Sequence, residues 1–180
     1  MSEGTHARIY RAIATDKSGV QSIRCLKIFG TDWMTPFNLE CTAYAYLIQS
    51  QVDTAKEGVI PKVYGWSRRT LYDWGVNERR SSDREDTYYG IAMEWIEGAC
   101  HLSENNATIE LAANLVIGLA KIHEAKVLHG DLFSRNMLVV PDTERAVWID
   151  FSCARIRERA VIYEQEFASA TKIAIEMVIF

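Results

Sequence analysis

The chain has 180 residues, with 20 basic and 24 acidic side chains, a formal net charge of −4 and 48% apolar residues. That apolar share, with only 10 Gly and 3 Pro, excludes a disordered or fibrous chain, and the length suffices for one core or two small lobes sharing a cleft. The acidic balance argues against electrostatic binding to nucleic acid. The longest apolar stretch, Ile109 to Ile122, is broken by Glu110, Asn114 and Lys121, so no membrane span is expected, and the start lacks the layout of a signal peptide. Cys25, Cys41, Cys100 and Cys153 fit no paired zinc spacing and are too sparse for a disulfide scaffold. The expectation is reduced, largely buried thiols in a cytoplasmic or nuclear protein.

Two strands are expected first, Ile9 to Ala14 and Ser22 to Phe29, joined at a turn over Thr15 to Gly19. Alternation puts Ile23, Cys25, Lys27 and Phe29 on one face of the second strand and Leu26 and Ile28 on the other. Thr35-Pro36 reads as an N-cap followed by Pro at the first helical position, opening a helix to about Gln49 with Leu39, Ala43, Tyr46 and Leu47 as its apolar positions. A short strand is expected near Val63-Tyr64. Asn77 to Thr87 is rich in charge and Ser and has no aliphatic residue, which reads as a solvated loop, or as a docking loop using Arg79, Arg80 and Arg84. Tyr88 to Ile96 is a strongly apolar strand. Thr108 to Glu124 is the clearest helix, with Leu111, Leu115, Leu119 and Ile122 in one stripe. Strands at Met137 to Val140 and Ala146 to Ile149 flank a turn at Pro141-Asp142. A last helix spans Val161 to Phe180, with Phe167, Ala170, Ile173, Ala174 and Met177 on one side. The order indicates an α+β protein, sheet-rich first and helix-rich second.

The strongest chemical signal is His129-Gly-Asp-Leu-Phe-Ser-Arg-Asn136, between the long helix and a strand. Fourteen residues after Asn136 comes Asp150, within Trp148-Ile-Asp-Phe-Ser152. Asp131, Asn136 and Asp150 all sit at strand–loop junctions. Two carboxylates and an amide converging there suit phosphoryl transfer: one carboxylate takes or orients the proton of an attacking hydroxyl, and the other two groups hold Mg²⁺ against phosphates. Each has a plainer reading when taken alone: Asp131 as a turn or cap residue, Lys27 as an exposed strand lysine, Glu40 as a helix-surface acid. Lys27 stands between two apolar residues, however, and a lysine on an apolar face needs an anionic partner.

At these residues the chain resembles the protein kinase superfamily. His129-Gly130-Asp131 with Asn136 is similar to the catalytic loop and Asp150-Phe151-Ser152 to the metal-binding motif. Cys25-Leu26-Lys27 resembles the strand whose lysine grips the α- and β-phosphates. Glu40 resembles the helical acid that pairs with it, and Ile91 to Gly98 the last strand and hinge. The resemblance implies a bilobal protein kinase-like fold: a first lobe and hinge over residues 1–97 with a five-stranded antiparallel sheet, and a truncated helical second lobe over 98–180. It implies ATP and Mg²⁺ as cofactors, with Asp131, Lys27, Glu40, Asn136 and Arg135 as catalytic residues and Asn136 and Asp150 as metal ligands. The nucleotide site would be lined by Ile9, Cys25, Lys27, Met93 as gatekeeper, the backbone of Glu94 and Ile96, and Leu138. His129 would orient the loop and stack with Phe151 and Tyr44.

Four departures qualify the resemblance. Gly4 is the one glycine left in the phosphate loop, with His6 and Arg8 as substitute phosphate contacts. Gly130 replaces the usual arginine, as in aminoglycoside phosphotransferase-like and small fungal kinase-domain proteins. Phe133 stands where many serine/threonine kinases carry a lysine, and Arg135 resembles the arginine of some tyrosine kinases. Ser152 replaces a glycine, and only one helix follows, leaving no room for a peptide-binding platform. The implied acceptor is a hydroxyl, on a protein Ser/Thr or on a small molecule. A pseudokinase acting by nucleotide binding or protein contacts is the alternative. The apolar last helix is expected to dock on its own lobe or on a protein partner.

Overall fold

A computed structural model describes residues 2–3, 7–52, 58–76, 86–156 and 160–179. Gly4, His6 and the arginines of the 77–85 segment lie outside the described residues.

The first half is built on one antiparallel sheet. Its long strands are β2 (Ala7–Thr15), β3 (Gln21–Phe29), β4 (Val63–Thr70) and β5 (Thr87–Glu94), and the two-residue β1 (Ser2–Glu3) pairs outside β2. The order is β1-β2-β3-β5-β4. The five-stranded expectation thus reduces to four strands of eight or nine residues and a short edge. The β2–β3 turn closes as its composition predicts: the Asp16 carboxylate accepts from the Ser18 and Val20 amides, and Gly19 supplies φ +88°. Strand β4 runs six residues past the expected Val63-Tyr64. Its polar end, Arg68-Arg69, is stable there because the guanidinium groups lie over Tyr89 and Trp74.

Helix α1 (Met34–Gln49) begins before Thr35, after a 3₁₀ turn over Thr31–Trp33, so Trp33 and not Thr35 is the N-cap. Its buried face is Phe37, Glu40, Cys41, Ala43, Tyr44 and Leu47. Leu39 and Tyr46, expected inside, are exposed. The stripe is misread from sequence because its centre is an acid, Glu40.

The second half contains β6 (Cys100–His101), α2 (Ile109–Glu124), β7 (Val127–Leu128), β8 (Met137–Val140), β9 (Arg145–Trp148), β10 (Arg155–Ile156) and α3 (Ala160–Ile179). Thr108 caps α2 by accepting from the Leu111 amide, and Leu111, Leu115, Leu119 and Ile122 are buried as the stripe predicts. Strands β6, β8 and β9 form a small antiparallel sheet, and β10 pairs with β7. The Trp148 indole donates to the Leu115 carbonyl, fixing β9 on α2. Helix α3 packs against α2, and among its described side chains Ala170 and Ala174 are buried.

One core cluster joins both halves, from Phe29, Tyr44 and Leu47 through Ile91 and Leu115 to Trp148 and Phe151. Leu26 and Ile28, on the opposite face of β3, form a second small cluster with Leu71. The architecture is α+β with antiparallel sheets and, among the described residues, three α-helices. No described helix is long and apolar enough to cross a membrane. All four cysteines are free, but Cys100 and Cys153 are exposed, against the expectation of mostly buried thiols. Both sit on loop or edge segments that the cores do not cover.

Candidate active site

Residues far apart in sequence meet at one lysine. Lys27, on β3, is 5% exposed. Its ammonium donates to Glu40 Oε2 at 2.6 Å and to Asp150 Oδ1 at 2.9 Å. Burial alone would drive the lysine towards its neutral form, but the two carboxylates outweigh it and raise its pKa. Burial would also raise Asp150. Lys27, with hydrogen bonds from Ser152, outweighs this and holds Asp150 at about 2. Glu40 is more deeply buried, and there desolvation prevails over Lys27 and pushes its pKa up. The cluster is therefore an ammonium between a firmly ionised, partly exposed carboxylate and a deeply buried one on α1.

Sheet register gathers the predicted nucleotide-lining residues on the lysine's face. Ile9 opposes Lys27, and Cys25 opposes Met93; opposed residues share a face. Met93 is buried, while Ile9 and Cys25 are half-buried. Burial, slightly relieved by Lys27, pushes the Cys25 thiol up to about 11. Leu138 is half-buried on β8 of the small sheet, and Ile96 lies just past β5. The Glu94 amide donates to the Lys62 carbonyl, which leaves the expected backbone contact to a base to the Glu94 carbonyl. Its carboxylate receives a two-pronged bond from Arg145 on β9, at 2.7 and 2.9 Å.

The loop from His129 to Asn136 is tied to Asp150 through a buried histidine. His129 Nδ1 accepts from the Asp131 amide, and Nε2 bonds the Ile149 carbonyl, which assigns the proton to Nε2. Burial, against nearby carboxylates, lowers the imidazole pKa and keeps it neutral. Its ring packs on Phe151 at 4.7 Å, and Phe151 meets Tyr44 edge-on at 5.2 Å. This is the expected three-ring stack. The Ile149 amide donates to the Asn136 carbonyl, so the Asn136 and Asp150 segments adjoin.

Asp131 accepts from Asn136 Nδ2 at 2.8 Å and from Arg135 Nη2 at 3.0 Å on each oxygen. Arg135 itself is exposed and stacks on exposed Phe133 at 4.1 Å. Asn136 directs its amide nitrogen to Asp131, so its oxygen is the end turned elsewhere. That oxygen and the ionised Asp150 carboxylate are hard donors of the kind Mg²⁺ accepts, with phosphate oxygens and water completing its shell. The donor set fits the metal.

Gly130 has a structural reason to be glycine. It has φ +80°, and a Cβ there would lie 2.3 Å from the Cys153 carbonyl oxygen. The backbone after Asp150 crosses where an arginine side chain would have to leave the loop.

Sequence reasoning missed Glu166 on α3. Its Oε1 accepts from the Gly130 amide at 2.7 Å, and its Oε2 accepts from the His129 amide at 3.1 Å and pairs with His123 Nε2 at 2.6 Å. Burial would raise Glu166, but these hydrogen bonds prevail and lower it. The available signal was an acid at helical spacing from Tyr163 and Ala170, on the side of α3 that turns inward.

An 80-residue stretch, 42% of the chain, is 39% identical to part of a probable serine/threonine-protein kinase of Dictyostelium discoideum. The match spans 11% of that protein's length. No protein-family model matches the chain. The likeness to a kinase is partial.

Proposed function

We propose that the chain is a protein kinase-like phosphotransferase that moves the γ-phosphate of ATP, with Mg²⁺, to a hydroxyl acceptor. The observation that carries the reading is the Lys27–Glu40–Asp150 cluster: three residues spanning 123 positions, joined at 2.6 and 2.9 Å, next to a loop presenting Asp131 and Asn136. In this reading residues 1–97 form the first lobe and hinge, and residues 98–180 belong to the second lobe. The acceptor is a protein Ser or Thr, in keeping with the partial likeness to a probable serine/threonine kinase.

Each residue then has a defined task. Lys27 holds the phosphates of the nucleotide, and Glu40 keeps Lys27 from folding away. Ile9, Cys25, Met93 and Leu138 exclude water from the base, with the Ile96 backbone as its polar contact. Asn136 and Asp150 would hold the metal, which when bound would supply charge neutralisation at the phosphates. Asp131 accepts the proton of the acceptor hydroxyl at its carboxylate. Arg135 and Asn136 occupy both Asp131 oxygens, so they aim the carboxylate and also compete with the acceptor for it. His129 stays neutral and fixes the loop.

The same competition favours one further reading, a pseudokinase that binds nucleotide without transfer. Labelled Mg-ATP separates the two. Transfer to the chain itself, to generic proteins or to small alcohols, abolished in Asp131→Ala, supports the enzyme, and the acceptor that is labelled shows whether it is protein or small molecule. Thermal stabilisation by Mg-ATP with no transfer supports the pseudokinase. Neither response rejects both.

A further inference from the structure

Behind the Lys27 ammonium, the buried cluster has hydrogen-bonding capacity that the protein does not use. Glu40 and Tyr44 lie four residues apart on α1, hence on one face. Both are fully buried. Glu40 gives Oε2 to Lys27. The Phe151 amide lies close enough to the Glu40 carboxylate to lower its pKa, but the other oxygen, Oε1, has no partner in hydrogen-bond geometry among the described residues, and neither has the Tyr44 hydroxyl. Lys27 carries three ammonium protons, of which two go to Glu40 and Asp150. The Tyr44 phenol is pushed well up, by burial first and then by the charges of Glu40 and Asp150 and the thiols Cys25 and Cys41. The hydroxyl is therefore within electrostatic reach of Glu40 and Asp150.

An unpaired acceptor and an unpaired hydroxyl four residues apart on one buried helix face, with an ammonium bonded to the same carboxylate, match what an internal water bonds. Such waters make about three hydrogen bonds to groups that would otherwise go unpaired, and a buried polar atom left without a partner bears its whole desolvation cost. Glu40 Oε1 and the Tyr44 hydroxyl do not bond each other directly, so a bridge is required for both to be satisfied.

We propose that one internal water links Glu40 Oε1, the Tyr44 hydroxyl and the Lys27 ammonium, and that Tyr44 is in this way a positioning residue for the lysine. The water accepts from Lys27 and Tyr44 and donates to Glu40. Its consequence for catalysis rests on the phosphotransferase reading. When Asp150 turns to a metal, Lys27 loses one of its two carboxylates. The Glu40–water–Tyr44 bridge then keeps the ammonium aimed at the phosphates. Tyr44 touches neither nucleotide nor acceptor, and its effect passes through Lys27.

The thermal test is independent of catalysis and turns on a sign. Tyr44→Phe keeps the ring that packs on Phe151 and removes only the hydroxyl. If the hydroxyl binds water, melting falls by about 2–4 °C, the shift expected for one lost hydrogen bond in a chain of this size. A rise in melting temperature shows a dry, unpaired hydroxyl and overturns the proposal. Glu40→Gln with Tyr44→Phe completes a double-mutant cycle. Non-additive shifts support the bridge, and additive shifts overturn it. Should Glu40→Gln fail to fold, a high-resolution crystal structure of the unmodified chain decides. Density within hydrogen-bond distance of both atoms supports the water, and clean absence overturns it. In an active enzyme Tyr44→Phe raises the ATP KM several-fold with kcat nearly unchanged, and an unchanged KM overturns the positioning role. If the unmodified chain transfers no phosphate, the phosphotransferase reading fails while the thermal and crystallographic arms still judge the water.

Discussion

Replacing Gly130 by alanine isolates the reason for the glycine in the His129–Asp131 segment. Two costs are involved. The backbone stands at φ +80°, a region that disfavours L side chains by about 1–2 kcal/mol. The new Cβ would also lie 2.3 Å from the Cys153 carbonyl oxygen. That neighbour is backbone, in a segment fixed by the β10–β7 pairing, so it cannot turn away. Forced overpacking of this kind costs about 1–3 kcal/mol more. The sum is about 2–5 kcal/mol. Gly19→Ala is the control, because Gly19 has φ +88° but nothing within 4 Å of its Cβ position. It bears the conformational cost alone. Denaturant unfolding of both variants, at matched slope, reads the difference between them. Gly130→Ala should lose at least 1 kcal/mol more than Gly19→Ala, and Gly130→Arg should lose more again. Equal losses would refute the argument that the chain after Asp150 excludes a side chain here, and the missing arginine would then need another cause.

Three further outcomes follow from the same contacts. Lys27→Met leaves Glu40 buried without its 2.6 Å partner. Breaking such a pair costs about 3–5 kcal/mol. Glu40 already has a raised pKa, and without the lysine it rises further. A carboxyl whose folded pKa exceeds its unfolded one loses stability as pH climbs between the two, so the deficit should be larger at pH 8 than at pH 5, and equal denaturation midpoint shifts at the two values would contradict this. In the unmodified chain His129 is depressed by burial and Asp150 is held at about 2. Stability present above the ordinary His pKa should decline as pH falls below about 6.5, and a second loss should begin below about 3.9, where an unfolded Asp takes up its proton. The raised pKa of Glu40 offsets part of the first loss, because that carboxyl restores stability as pH falls to its unfolded value of about 4.3, above where the second loss begins; a flat thermal melting profile from pH 7 to 3 would be incompatible with these shifts. Glu166→Gln keeps the size of the side chain but gives up charge-assisted acceptance from two backbone amides and His123. It should cost about 1.5–3 kcal/mol in denaturation and lower kcat more than it changes the ATP KM.

The legibility of this chain divides along a physical line. Periodicity succeeded where one face is apolar throughout: the α2 stripe of Leu111, Leu115, Leu119 and Ile122 is buried residue for residue. It failed on α1, where the buried face carries Glu40 at its centre. Hydropathy counts that residue as outward, which turned the expected stripe towards Leu39 and Tyr46. The motif reasoning placed Lys27, Glu40 and Asp150 together without any structural information, and they are in direct contact. Spacing fails to show what a residue's backbone is doing. The Glu94 amide is bonded to Lys62 and its carboxylate to Arg145, and nothing in Met93-Glu94-Trp95 announces either. The extension of β4 to Thr70 was invisible for a related reason, since two arginines read as loop until Tyr89 and Trp74 are known to lie beneath them.

The last helix changes meaning once its contacts are known. From sequence α3 is an apolar segment in need of something to cover it. In the structure its inward side lies on α2, and Glu166 on that side binds two consecutive amides of the loop that presents Asp131. A loop with a left-handed glycine at its centre leaves backbone amides that no regular element can satisfy. One carboxylate from α3 takes both, while His123 from α2 anchors that carboxylate. His129 then carries the constraint onward to Ile149, beside Asp150. The geometry of the acidic pair thus depends on a chain of contacts that starts in the final helix, although none of its residues carries a recognisable motif. The Asp131 loop is therefore held by residues that lie outside every motif.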